Sequence, residues 1–120
     1  MTSVSLNPAI VLVCLSHNSQ TAAAIRSRGW FCLNLPDESQ ELISRKFVPK
    51  DVDRFAGVPM HERTDGLPLI SGAAGHVVCR LKTIDSIGDH YVVYGDVVEC
   101  SKQGTRPLLY HKGRYCGLAN

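Results

Sequence analysis

The sequence lacks a long apolar run, a recognisable leader and any block of like charge. Its longest apolar stretch, AIVLVCL, is far shorter than the roughly 20 residues that a membrane-spanning helix needs. The net charge is only +2, and the 13 Lys and Arg residues are scattered along the chain. We therefore expect a cytoplasmic protein with neither a membrane nor a nucleic acid as its partner.

Closely spaced cysteines are absent as well. The five cysteines are isolated from one another, so no zinc motif is present, and their odd number argues against a disulfide framework. The contexts VLVCLS and HVVCRL are typical of cysteines that pack as small apolar residues in a reducing compartment. His17, His61 and His76 have no ligand partners at useful spacing, so we interpret them as ordinary polar residues and expect no metal site.

What is present indicates one globular domain over residues 1–120. Apolar residues make up 44% of the chain and charged residues 20%. The apolar run at 8–16 predicts a buried strand, and WFCLNL at 30–35 predicts the next one. Between them the sequence predicts a short helix over 20–27 that is capped by Asn18 or Ser19 and ends at Gly29.

The rest of the chain predicts a second helix and then mostly strands. DESQELISRKFV predicts a helix capped by Asp37 or Ser39, with Leu42, Ile43 and Phe47 on one face. PKDVDRFAG predicts a further helical turn, and the region from 57 is rich in loops. Two long strands follow, separated by a turn at 87–89, and GTRP predicts a hairpin before a last strand, LLYHKGRYCGL. This order indicates a mainly β fold, a closed or half-closed antiparallel barrel with flanking helices.

Hydroxyl side chains are dense in two places near the start of the chain. The first group is Thr2, Ser3 and Ser5, and the second is Ser16, Asn18, Ser19 and Thr21. The second group lies where a strand gives way to a helix, and free N–H groups at a helix start can bind a phosphate. The alternative, which the spacing alone favours, is a plain helix cap and turn.

Two further patterns are candidates for a site. In GDHYVVYGDV, His90 stands at the head of a strand, where it can bond the edge of a flat ligand or stabilise developing charge. In LLYHKGRY, Tyr110 or Tyr115 could stack on a ring while Lys112 or Arg114 faces an anion. The alternatives are a surface histidine at a hairpin and a solvated edge strand.

Five stretches, in this order, resemble the flavin reductase-like family. They are TSVSLNPAIVLVCLSHNSQTAAAIRSRGWFCLNLP, RKFVPKDVDRFAGVP, GLPLISGAAGHVVCRL, IGDHYVVYGDV and PLLYHKGRY. Proteins of this family have the FMN-binding split-barrel fold and include the NAD(P)H:flavin reductase components of two-component monooxygenases. The resemblance therefore implies hydride transfer from NADH or NADPH to FMN or FAD, in support of a monooxygenase.

The same resemblance implies roles for individual residues. Residues implied to line the flavin ring and ribityl chain are Thr2, Ser3, Val4 and Ser5. Residues implied to hold the flavin phosphate are Ser16, Asn18, Ser19 and Thr21. His90 would lie beside the flavin and the nicotinamide as the catalytic residue, and Tyr110 and Tyr115 would lie close to the pocket.

The chain departs from the family pattern at its start. Family members usually carry a few dozen residues before the equivalent of Thr2, and these supply the opening strands of the barrel. We therefore expect an N-terminally shortened split barrel that forms a homodimer, because unpaired strand edges are a liability in water. The alternative to a reductase is a non-catalytic flavin-binding carrier or assembly module.

Overall fold

Strands form most of the regular structure in the computed structural model, which describes residues 1–48, 53–61, 63, 65–103 and 105–118. The elements in chain order are β1 (Thr2–Leu6), β2 (Ala9–Ser16), α1 (Gln20–Arg28), β3 (Trp30–Leu35), α2 (Glu41–Arg45), β4 (Met60–His61), β5 (Leu69–Ile70), β6 (Gly75–Ile87), β7 (His90–Lys102), β8 (Leu109–His111) and β9 (Arg114–Cys116). The predicted mainly β fold is confirmed. No helix in the described part of the chain is long and apolar enough to span a membrane.

The largest sheet has the strand order β1-β2-β7-β6-β3. The β6–β7 hairpin turns through Gly88 and Asp89, and Gly88 has a positive φ of 58°, which glycine adopts without steric cost. β2 runs antiparallel to β7 with Val13 opposite Val93 and Ser16 opposite His90. The two long strands and the turn between them are where the sequence predicts them.

Helix α1 has the caps that the sequence predicts. The Ser19 hydroxyl accepts a hydrogen bond from the backbone N–H of Ala22, and this makes Ser19 the N-cap. Gly29 ends the helix in the left-handed region, with φ 77°, and its N–H donates to the Ile25 carbonyl at 2.8 Å. Ala22 and Ile25 are buried, so one side of the helix faces the core.

The chain forms two compact units. Unit 1 comprises Met1–Leu33 and Val77–Cys100, and unit 2 comprises Asn34–His76 and Ser101–Asn120. The core of unit 1 is an apolar cluster from β2, α1, β3, β6 and β7. Its buried members are Val13, Ile25, Phe31, Cys79 and Val93.

Packing in the core of unit 1 is tight around Gly95. A Cβ atom at Gly95 would lie 2.5 Å from Phe31 Cζ and 2.7 Å from Cys79 Cβ, so no larger residue fits without displacing them. Burial raises the pKa of the Cys79 thiol to about 11, and the negative charge of Asp96 acts in the same direction.

Unit 2 contains polar side chains that bond the backbone of the segment at 68–71. Asn34 donates to the Pro68 carbonyl at 3.0 Å and accepts from the Ile70 N–H at 2.8 Å. Gln40, which is buried, donates to the Ser71 carbonyl at 2.8 Å. The buried His76 donates from Nε2 to the Ile70 carbonyl at 2.8 Å. Three side chains therefore hold the segment at 68–71, which contains β5.

The second helix is shorter than the sequence predicts, and the predicted caps are wrong. α2 covers only Glu41–Arg45, and its N-cap is Gln40, which makes no side-chain capping bond. The Asp37 carboxylate accepts instead from the N–H and hydroxyl of Ser39, closing a local turn before the helix begins. Leu42 is 76% exposed, so it does not lie on a buried face.

The predicted last strand is two strands. β8 and β9 pair as a hairpin because Lys112 and Gly113 both have positive φ, at 51° and 77°. Residues 49–52 of the predicted further helical turn lie outside the described residues, and 54–57 form turns rather than helix. The predicted hairpin at GTRP includes Gly104, which also lies outside them.

Candidate functional site

The sheet register of unit 1 brings predicted site residues from three strands to one face. Ser16 is directly opposite His90, and Thr2 is opposite Leu12. Ser16 and Leu12 are an even number of residues apart on β2, so their side chains project to the same side of the sheet. The core residue Val13 projects to the other side. Thr2, Ser16 and His90 therefore share the face opposite the core.

The turn from β2 into α1 presents a set of polar groups. Ser16 donates from Oγ to Asn18 Oδ1 at 2.6 Å, and the Ser19 N–H donates to the Ser16 carbonyl at 3.0 Å. Thr21 is exposed on the first turn of the helix. The first N–H groups of a helix have no intrahelical acceptor, and no acidic residue lies in this turn. These donors fit an anion such as a phosphate.

Strand β1 offers backbone groups at the edge of the sheet. Among the described residues β1 pairs only with β2, and the pairing is irregular at Val4, between the pairs Ser3–Val11 and Ser5–Ile10. Thr2, Ser3 and Val4 are exposed, and Ser5 is half-buried. The outward N–H and C=O groups of such an edge can bond the polar rim of a planar ligand.

His90 is fixed at one ring nitrogen and open at the other. Its Nδ1 donates to the Asp89 carboxylate at 2.6 Å, and the side chain is 48% exposed. The hydrogen bond from His90, together with the charge of the imidazole, lowers the pKa of Asp89. Nε2 of His90 has no hydrogen bond to a described residue, so this atom is available to a ligand.

The interpretation of His17 as an ordinary polar residue misses its position. Its Nε2 lies 3.1 Å from the His90 carbonyl oxygen and 3.0 Å from Ser86 Oγ, and its ring packs on Tyr91 at 4.4 Å. The Arg26 guanidinium covers the same Tyr91 ring at 4.9 Å. An open groove here is lined by His17, Ser19, Ala22, Ala23, Arg26, Ser27 and Tyr91. Only the pairing of β2 with β7 could have revealed this arrangement.

Tyr110 and Tyr115 face each other across the β8–β9 hairpin of unit 2. Their ring centroids are 5.1 Å apart with the rings edge to face. The Tyr115 hydroxyl lies 3.1 Å from Ser44 Oγ, and the Arg45 guanidinium covers its ring at 4.9 Å. Tyr110 is 68% exposed. Tyr115 is therefore engaged by α2, whereas Tyr110 is open to solvent.

The chain matches the family described as flavin reductase like domain over residues 1–119. It belongs to the flavin reductase-like family. Among its relatives is the reductase subunit HsaB of a flavin-dependent monooxygenase from Rhodococcus jostii, which is 37% identical over 97% of this chain and 60% of its own length. A flavin reductase from Pseudomonas putida is 34% identical over 98% of this chain and 70% of its own length.

Solved structures of the family have the same fold. A homologue of nitrilotriacetate monooxygenase component B from Mycobacterium thermoresistibile superposes with a TM-score of 0.91 at 35% identity, covering 98% of this chain and 68% of the other. The NADH:FAD oxidoreductase SgcE6 from Streptomyces globisporus, solved with NAD and FAD fragments, has a TM-score of 0.91 at 29% identity over 98% of this chain and 73% of its own. The predicted split-barrel fold is confirmed. The chain spans about 60% of the length of HsaB.

Proposed function

We propose that this chain binds flavin and catalyses transfer of a hydride to it from NADH or NADPH. The observation that supports this most strongly is the pairing of Ser16 with His90, which puts the polar turn before α1 beside an exposed imidazole. The relatives named above include the reductase subunit of a flavin-dependent monooxygenase, a flavin reductase and an NADH:FAD oxidoreductase. A monooxygenase that consumes the reduced flavin is accordingly the partner that we propose.

The residues present fit the FMN portion that FMN and FAD share. Ser16, Asn18, Ser19 and Thr21 would hold the phosphate with hydroxyls and with the N–H groups at the start of α1. Residues of β1 from Thr2 to Ser5 would bond the ring and ribityl chain, largely through backbone groups. We also propose roles in flavin binding for Tyr110 and Tyr115, as the family resemblance implies.

The bound flavin supplies the electron-accepting ring chemistry, and the protein supplies binding and orientation. His90, held through Nδ1 by Asp89, would use Nε2 to orient the nicotinamide or to stabilise charge near the flavin. Hydride transfer needs no acid or base, so positioning the two rings is the main task of the protein.

Separate variants test binding and turnover. The Ser19→Ala, Thr21→Ala double variant should weaken FMN binding by ~1–3 kcal/mol, the scale of one or two charge-assisted hydrogen bonds. His90→Ala should slow anaerobic reduction of bound flavin by NADH about 10- to 100-fold, with a smaller change in FMN affinity. Thr83→Ala and His61→Ala, at exposed positions, are the matched controls.

Two outcomes would count against the proposal. An unchanged FMN dissociation constant in the double variant would remove the phosphate assignment. A wild-type protein that binds FMN without oxidising NADH would favour the non-catalytic carrier over the reductase.

We also propose a homodimer in the cytoplasm. β1 lies at the edge of its sheet with Val4 47% and Leu6 89% exposed, and a second copy would cover such apolar edge residues. The isolated spacing and odd number of the five cysteines suit a reducing compartment. Sedimentation at micromolar concentration should show a dimer that Leu6→Lys weakens, and a monomer alone would refute the assembly.

A further inference from the structure

His17 joins three segments of unit 1 at the end of the β6–β7 hairpin. Its backbone N–H donates to the Asp89 carbonyl at 3.2 Å, so it extends the β2–β7 pairing by one residue. Its side chain reaches both arms of the hairpin, at the Ser86 hydroxyl and at the His90 carbonyl. The chain then continues from His17 into the polar turn before α1.

The partners of His17 determine which ring nitrogen carries a proton. A carbonyl oxygen can only accept, so the 3.1 Å contact with the His90 carbonyl requires an N–H at Nε2 of His17. The Ser86 oxygen, at 3.0 Å, then accepts from the same N–H. A single N–H group therefore bonds both Ser86, the second-last residue of β6, and His90, the first residue of β7.

The ring of His17 adds a second restraint. It packs against Tyr91 at 4.4 Å, and the Arg26 guanidinium from α1 lies over the same tyrosine at 4.9 Å. Tyr91 is the residue after His90, so the stack and the bond to the His90 carbonyl together hold the first two residues of β7. No other side chain in the described residues bonds the backbone of His90.

We propose that His17 is a positioning residue for His90. It fixes the backbone from which the imidazole of His90 projects, and it couples that backbone to the turn that carries Ser19. The hairpin tip beyond it consists only of exposed residues from Ile87 to His90, with the two-residue turn between them. This role rests on the proposed function of His90 and adds a residue that does not itself touch the reacting groups.

Two substitutions separate the hydrogen bond from the stacking. His17→Phe keeps a ring on Tyr91 but has no N–H, whereas His17→Gln restores an amide N–H near the position of Nε2. His61→Phe, at an exposed histidine of β4, is the control for the same chemical change. Each variant is examined by amide hydrogen exchange over 86–91 without ligand and by anaerobic reduction of bound FMN with NADH.

His17→Phe should speed exchange over 86–91 and slow flavin reduction, each by about 3- to 10-fold, the scale of one hydrogen bond. His17→Gln should recover most of both, and His61→Phe should change neither. In a His90→Ala background, His17→Phe should slow reduction by less than about twofold, because the residue through which it acts is gone.

Three results would overturn the proposal. They are unchanged exchange in His17→Phe, no recovery in His17→Gln, and an equal slowing with and without His90. If instead His90→Ala reduces flavin as fast as wild type, the proposed function of His90 fails. The exchange measurement then still decides whether His17 holds the hairpin.

Discussion

The two units of this chain are stabilised by different kinds of contact. Unit 1 has a buried cluster of apolar side chains from long strands and a helix, with Phe31 and Val93 among its members. Unit 2 has short strands, and its segment at 68–71 is held by hydrogen bonds from Asn34, Gln40 and His76 to backbone groups. The residues proposed to bind phosphate and to act on the nicotinamide belong to unit 1.

This difference shows how each unit positions its side chains. In unit 1 the strand register sets which residues meet, so Ser16 faces His90 because Val13 faces Val93. In unit 2 individual polar side chains set the path of the segment at 68–71, so the loss of a single bond leaves a backbone group without its partner. Substitutions in the apolar core of unit 1 and at the polar side chains of unit 2 should therefore differ in how much they lower stability.

The largest effect is expected in the core of unit 1. Phe31→Ala removes a ring that packs beside Cys79 and against Gly95, and it should lower the free energy of unfolding by about 3–5 kcal/mol. Leu42→Ala, at a 76% exposed position, should change it by less than about 0.5 kcal/mol. Urea denaturation measures both. Similar values for the two variants would contradict the assignment of the core.

A smaller effect is expected where unit 2 depends on polar bonds. Gln40→Met keeps the volume of the side chain but removes its bonds to the Ser71 carbonyl and the Asp37 N–H, so stability should fall by about 1–3 kcal/mol. Gln103→Met makes the same change at an exposed position and should cost little. Equal denaturation midpoints for the two variants would show that Gln40 does not hold the segment at 68–71.

The sequence predicts unit 1 better than unit 2 for a physical reason. Apolar periodicity and caps determine β2, α1 and the long hairpin locally, so Ser19 and Gly29 could be identified from their neighbours. The bonds of Gln40 and His76 join residues up to 31 positions apart, and periodicity carries no sign of them. The same holds for His17, whose partners Ser86 and His90 are distant in sequence.

The sequence prediction is wrong at the last hairpin and at the second helix, and each error has its own local cause. Lys112 adopts a positive φ that its residue type does not suggest, so LLYHKGRYCGL resembles one strand. The bond from Ser39 to Asp37 competes with helix formation, and the helix therefore begins later than its caps suggest.

The smallest effects concern two surface carboxylates, one in each unit. Asp65 accepts from the Arg63 side chain and the Leu67 N–H, which lowers its pKa from 3.8 to about 2. Asp89 has its pKa lowered by His90. Because the pKa of each carboxyl group is lowered in the folded protein, its bonds stabilise the fold at pH values above the ordinary pKa. This stabilisation is lost as the pH falls through the lowered pKa.

Carbon-detected NMR titration measures both carboxyl groups directly. His90→Ala should return the pKa of Asp89 towards its ordinary value and leave that of Asp65 unchanged, whereas Arg63→Met should do the reverse. An equal pKa of Asp89 in the wild type and in His90→Ala would contradict the presence of the hydrogen bond between Asp89 and the imidazole.

The proposed flavin site is one face of the unit 1 sheet together with the polar turn at its end. Backbone amide chemical shifts recorded while FMN is added to isotope-labelled protein test this most directly. We expect the largest changes at Thr2–Ser5, at residues 16–21 and at His90, with the core residues Val13 and Val93 little affected. Saturable binding whose largest changes fall outside these three segments would contradict it.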